Sequence, residues 1–184
     1  MNRFRLVQAL SAADIERAAE FRRQVFLGRR RIVFDEQLEV RRDREGSVFL
    51  LLEDAAIVAT GRILPYPSEL SPVLSLTPGL AIDADSEIGR IAALPSPSSG
   101  SYALIMLTLG SIWILEHTRK RRYLAYCHPK LVELYRRIGA KDVGCACIVP
   151  GRSEPHRIVS GSYEDAVRLG GEVLGFMESM RRSA

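Results

Sequence analysis

Glu87 and Arg90, followed by Ile91-Ala92-Ala93 and a small-residue turn from Ser96 to Gly100 that opens a long apolar segment, are the residues best spaced for chemistry. A strand carrying a carboxylate and a guanidinium, leading through such a turn into a helix N-terminus, brings together a base, backbone donors and an anion cradle. These parts suit acyl transfer from a pantetheine thioester to an amine. The amine is protonated at neutral pH and needs a base before it attacks, a role Glu87 fills if partial burial raises its pKa. The alternative for Glu87 is a salt bridge to Arg90 or Arg62.

Side chains alternate along a strand, so Glu87 and Arg90 are expected on opposite sides unless a bulge at Gly89 turns one of them. The same bulge would splay the strand from its neighbour and free the N–H groups of Ile91, Ala92 and Ala93 to hold the thioester carbonyl. Pro95 and Pro97 have no amide proton. Phosphate binding therefore falls to the amides of Ser98, Ser99, Gly100, Ser101 and Tyr102, with the serine hydroxyls, at the helix N-terminus. An ordinary capped helix is the competing account. Arg62 and Arg90 are candidates for pantetheine phosphate, a substrate carboxylate or Glu87, and the sequence leaves the three open.

The elements that must position these residues follow from apolar spacing. A strand is expected near Phe4 to Val7, then a helix capped by Ser11 with Asp14, carrying Ile15, Ala18, Ala19, Val25 and Phe26 inward and ending at Gly28. A short helix or mobile loop is expected around Phe34 to Val40. Val48 to Leu52 and Ala56 to Leu64 read as a hairpin turning at Glu53-Asp54. After a loop rich in proline come a strand from Glu87 to Ala93, an apolar helix from Ser101 to Thr118 and a strand from Arg121 to Cys127. Pro129 begins a helix that Gly139 stops. Strands over Asp142 to Val149 and Arg157 to Ser160 precede a final helix capped by Ser162, with Leu169, Val173, Leu174, Phe176 and Met177 inward.

At 184 residues and 47% hydrophobic, the chain is long enough for one domain over residues 1–184. No segment is apolar enough to span a bilayer, and Cys127, Cys145 and Cys147 are best read as reduced thiols, which together point to the cytoplasm. The spacing of Cys145 and Cys147 with Cys127 and His128 fits no usual zinc pattern, so no metal is expected. Lys and Arg outnumber Asp and Glu 26 to 22, with clusters at Arg29 to Arg31, Arg41 to Arg44 and Arg119 to Arg122 that would attract an acidic partner. With 7% aromatic residues and no stacking platform, nucleic acid is an improbable one.

The element order, the strand-turn-helix over 87 to 118 and the Leu134-Tyr135-Arg136-Arg137-Ile138-Gly139-Ala140 helix end resemble the GNAT acyltransferase fold. The resemblance implies an α/β (α+β) architecture, with a mixed, mostly antiparallel central sheet flanked by helices on both faces. Within that superfold, Arg22-x-x-Val25-Phe26, Arg62-Ile63-Leu64-Pro65 and Glu87-Ile88-Gly89-Arg90-Ile91 look like three motifs of the acyl-homoserine lactone (autoinducer) synthases and the long-chain N-acyl amino acid synthases. By that resemblance Arg22, Phe26, Arg62 and Arg90 serve substrate binding, and Tyr135 stands where many GNAT enzymes keep a tyrosine that protonates the leaving thiolate. The autoinducer synthases bind S-adenosylmethionine with a tryptophan and three acids. Here Val33-Phe34 replaces the tryptophan, only Asp43 can be placed among the acids and Glu39 is off register. The phosphate loop is likewise reduced to Gly100.

Two function classes result. In one, an acyltransferase with no tightly bound cofactor moves an acyl group from acidic acyl carrier protein or coenzyme A to a small amine such as an amino acid, or acts as an N-acetyltransferase on acetyl-coenzyme A. In the other, a GNAT-shaped binding protein has lost turnover. The first predicts a deep apolar tunnel lined by the 102 to 115 helix, and the second predicts that side chains fill it.

Overall fold

A computed structural model describes residues 4–30, 35–70, 82–95, 101–147 and 155–182. Seven strands form a sheet in the order β1-β2-β3-β4-β5-β7-β6. They are β1 (Phe4–Gln8), β2 (Ser47–Glu53), β3 (Ala56–Pro65), β4 (Ser86–Ala93), β5 (Arg122–Cys127), β6 (Lys141–Cys147) and β7 (His156–Ser162). Only β4 and β5 run parallel among these described strands. The helices are α1 (Ala12–Arg30), α2 (Glu36–Glu45), α3 (Tyr102–His117), the short α4 (Val132–Arg136) after a 3-10 turn at Pro129–Leu131, and α5 (Tyr163–Arg182).

Alternation along the strands divides the core. Phe49, Leu51, Ile63 and Ile88 pack with Leu104, Met106 and Leu107 of α3, while Val48, Leu50 and Leu52 pack with Ala18 and Ile15 of α1. Fully burying side chains of this size contributes about 1.5–3 kcal/mol each. Helices thus cover both faces of a mostly antiparallel sheet, as the resemblance implied. On the α3 face, α5 comes so close that a Cβ on Gly170 would lie 2.1 Å from Thr108 Oγ1.

Local signals acted largely as expected. Ser11 Oγ accepts from Asp14 N at 3.1 Å and donates to Asp14 Oδ2 at 2.7 Å, and Ser162 makes the same pair of bonds with Asp165. The turn after β2 holds Asp54 at φ 56°, and Gly139 ends the helical segment at φ 82°. Two boundary differences bear on the helices before the hairpin. Helix α1 runs past Gly28 to Arg30, because a glycine with open space around it costs a helix little more than propensity. The second helix spans 36–45, started by Asp35, whose side chain accepts from Leu38 N at 3.0 Å; Phe34 lies outside the described residues.

The bulge falls one residue later than expected. Arg62 pairs with Gly89 and Thr60 with Ala92, so Gly61 alone faces both Arg90 and Ile91. Arg90 is the residue at φ 55°, a left-handed conformation that non-glycine side chains seldom adopt. Gly61 supplies the room: a Cβ there would lie 2.6 Å from Ile91 Cδ1.

Candidate active site

The β4 and β5 strands pair at Ser86 with Tyr123, Glu87 with Leu124 and Ile88 with Ala125, and then stop pairing, although β4 continues to Ala93 and β5 to Cys127. Beyond Ile88 the β4 edge is therefore parted from its neighbour over the stretch that holds Ile91, Ala92 and Ala93. Its opposite edge stays paired with β3, and Leu94 N continues that side by donating to Val58 O at 2.9 Å.

Between α3 and strands β2 to β4 lies a small apolar pocket. Ile88 and Ile91 of β4, Ile63 of β3 and Met106, Leu107 and Gly110 of α3 form its main walls. The open volume is about 20 Å³, room for roughly one water. Among the described residues this pocket is a narrow apolar slot.

The opposite face carries charge. Because the bulge interrupts alternation, Arg90 comes onto the face shared by Arg62 and Glu87 instead of the other one. Arg62 is fully buried, and its NH1 donates to Asp43 Oδ1 at 2.9 Å and Glu39 Oε2 at 3.2 Å, with Glu69 on NH2. Arg22, also buried, donates to Asp43. Arg90 grips the Glu39 carboxylate with Nε at 2.9 and 3.0 Å and NH2 at 2.7 Å, and donates through NH1 to the Tyr126 hydroxyl. Tyr126 in turn donates to Glu69 Oε2 at 3.2 Å. Burial by itself would raise the pKa of Glu39, but the hydrogen bond and charge of Arg90, with Arg62 and Arg22, hold it below its ordinary value. Three guanidinium groups and three carboxylates thus share one partly closed site.

Helix α2 reaches this network without apolar packing. Asp43 is its one buried residue, and its apolar side chains Leu38 and Val40 are exposed. What ties it down is Glu39 on Arg90 and Arg62, Asp43 on Arg22 and Arg62, and Arg42 on Ser68. Glu39 and Asp43 both belong to the cluster, although the sequence pattern put Glu39 off register. Glu69 and Tyr126 were not singled out from sequence. Glu69 sits in a loop with no periodicity, and Tyr126 reads as an ordinary strand aromatic.

Glu87 is buried beside these groups but pairs with neither Arg62 nor Arg90. Its oxygens accept from Ser68 N at 2.6 Å and Leu70 N at 3.1 Å, which pins the loop after β3. Burial raises its pKa, the two amides pull it back and the Glu69 charge adds to the rise, leaving it above the ordinary value. Tyr135 of α4 is buried in the main core, and burial with Cys127, Tyr123 and Tyr126 nearby keeps its hydroxyl protonated well above the usual range. Phe26 packs with Val25 of α1 against Ala92 of β4.

At the start of α3, Ser101 is the N-cap residue and its hydroxyl makes no capping bond. The Tyr102 side chain points elsewhere, donating to Glu53 Oε2 at 2.6 Å and meeting Phe4 edge-on. Ser98, Ser99 and Gly100 lie outside the described residues, as does Val33. Among the described residues, no group of three or more His, Cys, Asp or Glu is placed to hold a metal ion, and Cys127 is buried. No described helix is long and apolar enough to cross a membrane. The 119–122 cluster lies at the start of β5, the end of the sheet away from the parting. It is tied to the loop before β4: Arg122 pairs with Asp83 at 2.7 Å, Lys120 Nζ donates to Asp85 O at 3.1 Å, and the Arg121 and Arg122 amides donate to Asp85 Oδ2.

No protein-family model and no curated protein matches the sequence. Solved structures do match in shape. A coenzyme A-dependent acyl-homoserine lactone synthase, MesI, superposes with TM-score 0.69 at 19% identity, over 94% of this chain and 95% of its own. FeeM, an N-acyl amino acid synthase from uncultured soil microbes, gives 0.68 at 14% identity, over 89% and 92%. An acetyltransferase from Streptococcus agalactiae gives 0.58 at 10% identity, over 88% and 99%. At such identities the likeness is one of fold, and the fold of this chain is that of the GNAT acyltransferases, shared with autoinducer synthases and an N-acyl amino acid synthase.

Proposed function

We propose that this protein is an N-acyltransferase that moves a short acyl group from a pantetheine thioester to a small amine. The observation that carries the reading is the parting of β4 from β5 after Ile88, with an apolar slot between β4 and α3. A thioester carbonyl laid in that parting would meet the backbone around Ile91 to Ala93 as its oxygen gains negative charge. The acyl chain would enter the slot, whose small volume favours few carbons.

Glu87 is the base in this reading. Its burial and raised pKa suit a group that takes a proton from an ammonium near neutrality. Tyr135 is assigned the return of a proton to the thiolate on its position in the helix after β5. The amides of Ser98 to Tyr102, with the hydroxyls of Ser98, Ser99 and Ser101, would hold phosphate at the α3 N-terminus. Coenzyme A is the donor we favour, since the cationic 119–122 turn stands at the wrong end of the sheet to guide an acidic carrier to the parting. The reaction would take place in the cytoplasm.

The test is to incubate the protein with acyl-coenzyme A and acyl-carrier donors of several chain lengths and a pool of amines, then search for new amides by mass spectrometry. Short-chain amides formed from the coenzyme A donors are the expected result. If no donor loses its acyl group, the protein is a GNAT-shaped binder and the reading is wrong.

A further inference from the structure

We infer that Glu69 is the residue that receives the acceptor amine, binding it as an ammonium ion on Oε2 at the mouth of the parting. That this ammonium is the acyl acceptor rests on the transfer reading; that the site takes an ammonium does not.

The last pair joining β4 to β5 is Ile88 with Ala125, so Gly89 and Tyr126 are the first residues on either bank of the parting. Glu69 Oε2 touches both. Tyr126 donates to it at 3.2 Å, and a Cβ on Gly89 would lie 3.6 Å from it. Having no side chain, Gly89 leaves room for a ligand beside that oxygen. The carboxylate is also held in place from behind: Glu87 accepts from the amides of Ser68 and Leu70, the two neighbours of Glu69, at 2.6 and 3.1 Å. Leu70 is buried against Leu124 and Ile158, and Arg62 NH2 donates to the other oxygen of Glu69, Oε1. Glu69 is therefore fixed before any ligand arrives, as electrostatic recognition of a small ion requires.

Charge favours a cation here. The three guanidinium groups of Arg22, Arg62 and Arg90 meet the carboxylates of Glu39, Asp43 and Glu69, and Glu87 lies near enough to feel the Glu69 charge, while Arg42 is paired with Glu45. With all four carboxylates ionised, one negative charge is left over. Glu39 cannot take the balancing ion, because Arg90 holds it through three contacts, and the Asp43 side chain keeps only 1% of its exposure. Glu87 is buried with a loop amide on each oxygen. The Glu69 side chain keeps 12% of its exposure, its guanidinium neighbours stand at Oε1, and the donor on Oε2 among the described residues is a neutral hydroxyl. An ammonium ion supplies both the missing charge and hydrogen-bond donors for the free lone pair of Oε2. A neutral alcohol of the same shape supplies only one weak donor.

Binding can be read without turnover. n-Butylamine and n-butanol would be titrated at neutral pH into the wild-type protein, Glu69→Gln and Gly89→Ala, with the amide resonances of Gly89 and Tyr126 followed by NMR. In the wild type the amine should shift both resonances to saturation and the alcohol should not. Glu69→Gln should weaken amine binding at least about tenfold, the loss expected when a hydrogen bond to a charged group is removed. Gly89→Ala, whose methyl makes ordinary contact with Oε2 and leaves the fold intact, should weaken it too. During amide formation Glu69→Gln should raise KM for the amine by a similar factor and leave KM for the acyl donor unchanged. Equal response to amine and alcohol, amine binding that survives Glu69→Gln, or unchanged binding in Gly89→Ala would each overturn the inference. If Glu69→Gln does not fold, the wild-type comparison and Gly89→Ala decide. Amides formed while the amine leaves both resonances unmoved would sink this inference and spare the transfer reading. Amine binding as described, with no acyl group lost from any donor, would do the reverse.

Discussion

Gly61 and Ile91 face each other across β3 and β4 at a distance that leaves no space for a methyl group, since a Cβ on Gly61 would meet Ile91 Cδ1 at 2.6 Å. The atom it meets is the tip of a side chain that also walls the apolar slot. Gly61→Ala should therefore push Ile91 toward Met106, cost about 1–3 kcal/mol of stability and shrink the slot. Denaturant unfolding measures the first effect. A shift of acyl preference toward acetyl, read from product masses, measures the second.

Arg62 compensates carboxylates of Asp43, Glu39 and Glu69 from a fully buried position. Arg62→Met should lower stability by about 3–5 kcal/mol, because it leaves buried carboxylates without their counter-charge. Chemical denaturation at neutral pH checks this, and a loss below 1 kcal/mol would mean the cluster is wetter than the structure indicates.

Glu39 and Glu87 should pull the pH dependence of stability in opposite directions. The lowered pKa of Glu39 gives stability that is present above the unfolded carboxylate value and is lost as pH falls through the folded one. The raised pKa of Glu87 gives stability that is present below the unfolded value of about 4.3 and is lost as pH rises through the folded one. Melting temperatures across the acid range should show Glu39→Gln losing the drop at the acid end, and Glu87→Gln losing the decline on its upper side. Glu87→Gln should also slow amide formation by roughly a hundredfold or more if it removes the base. A mutant that melts lower yet turns over at the wild-type rate would leave Glu87 as the anchor of the 66–70 loop alone.

Thr108 and Gly170 are a tight pair between α3 and α5. Gly170→Ala should destabilise by about 1–3 kcal/mol, since its new methyl would lie 2.1 Å from Thr108 Oγ1 and 3.0 Å from Thr108 Cγ2. The Thr108 hydroxyl is buried without a hydrogen-bond partner. Thr108→Ala should therefore cost little on its own and recover much of the Gly170→Ala loss, a coupling that a double-mutant cycle reads directly.

What was legible in the sequence was whatever leaves a short-range trace. Ser11 with Asp14, Ser162 with Asp165, and Gly139 act within a few residues of themselves, so the elements they bound fell close to expectation. The bulge at β4 was read one position early because Gly89 draws attention as the flexible residue. The glycine that matters is Gly61 on the neighbouring strand, and cross-strand pairing is invisible in one sequence. Around Phe34 to Val40 the sequence left a short helix or a mobile loop open, because a helix held by ion pairs has no apolar stripe to betray its inner side. Glu39 and Asp43 gain meaning only once Arg22, Arg62 and Arg90 arrive from three other elements.

Three residue pairs, Ser86 to Tyr123 through Ile88 to Ala125, form the isthmus between two antiparallel leaves, β1 to β4 on one bank and β5, β7 and β6 on the other. A junction that narrow concentrates mechanical compliance at one spot. Amide exchange in Leu124, Ala125 and Tyr126 should report motions of one leaf against the other long before either leaf unravels. A ligand lodged beside the isthmus would act as a wedge between the leaves.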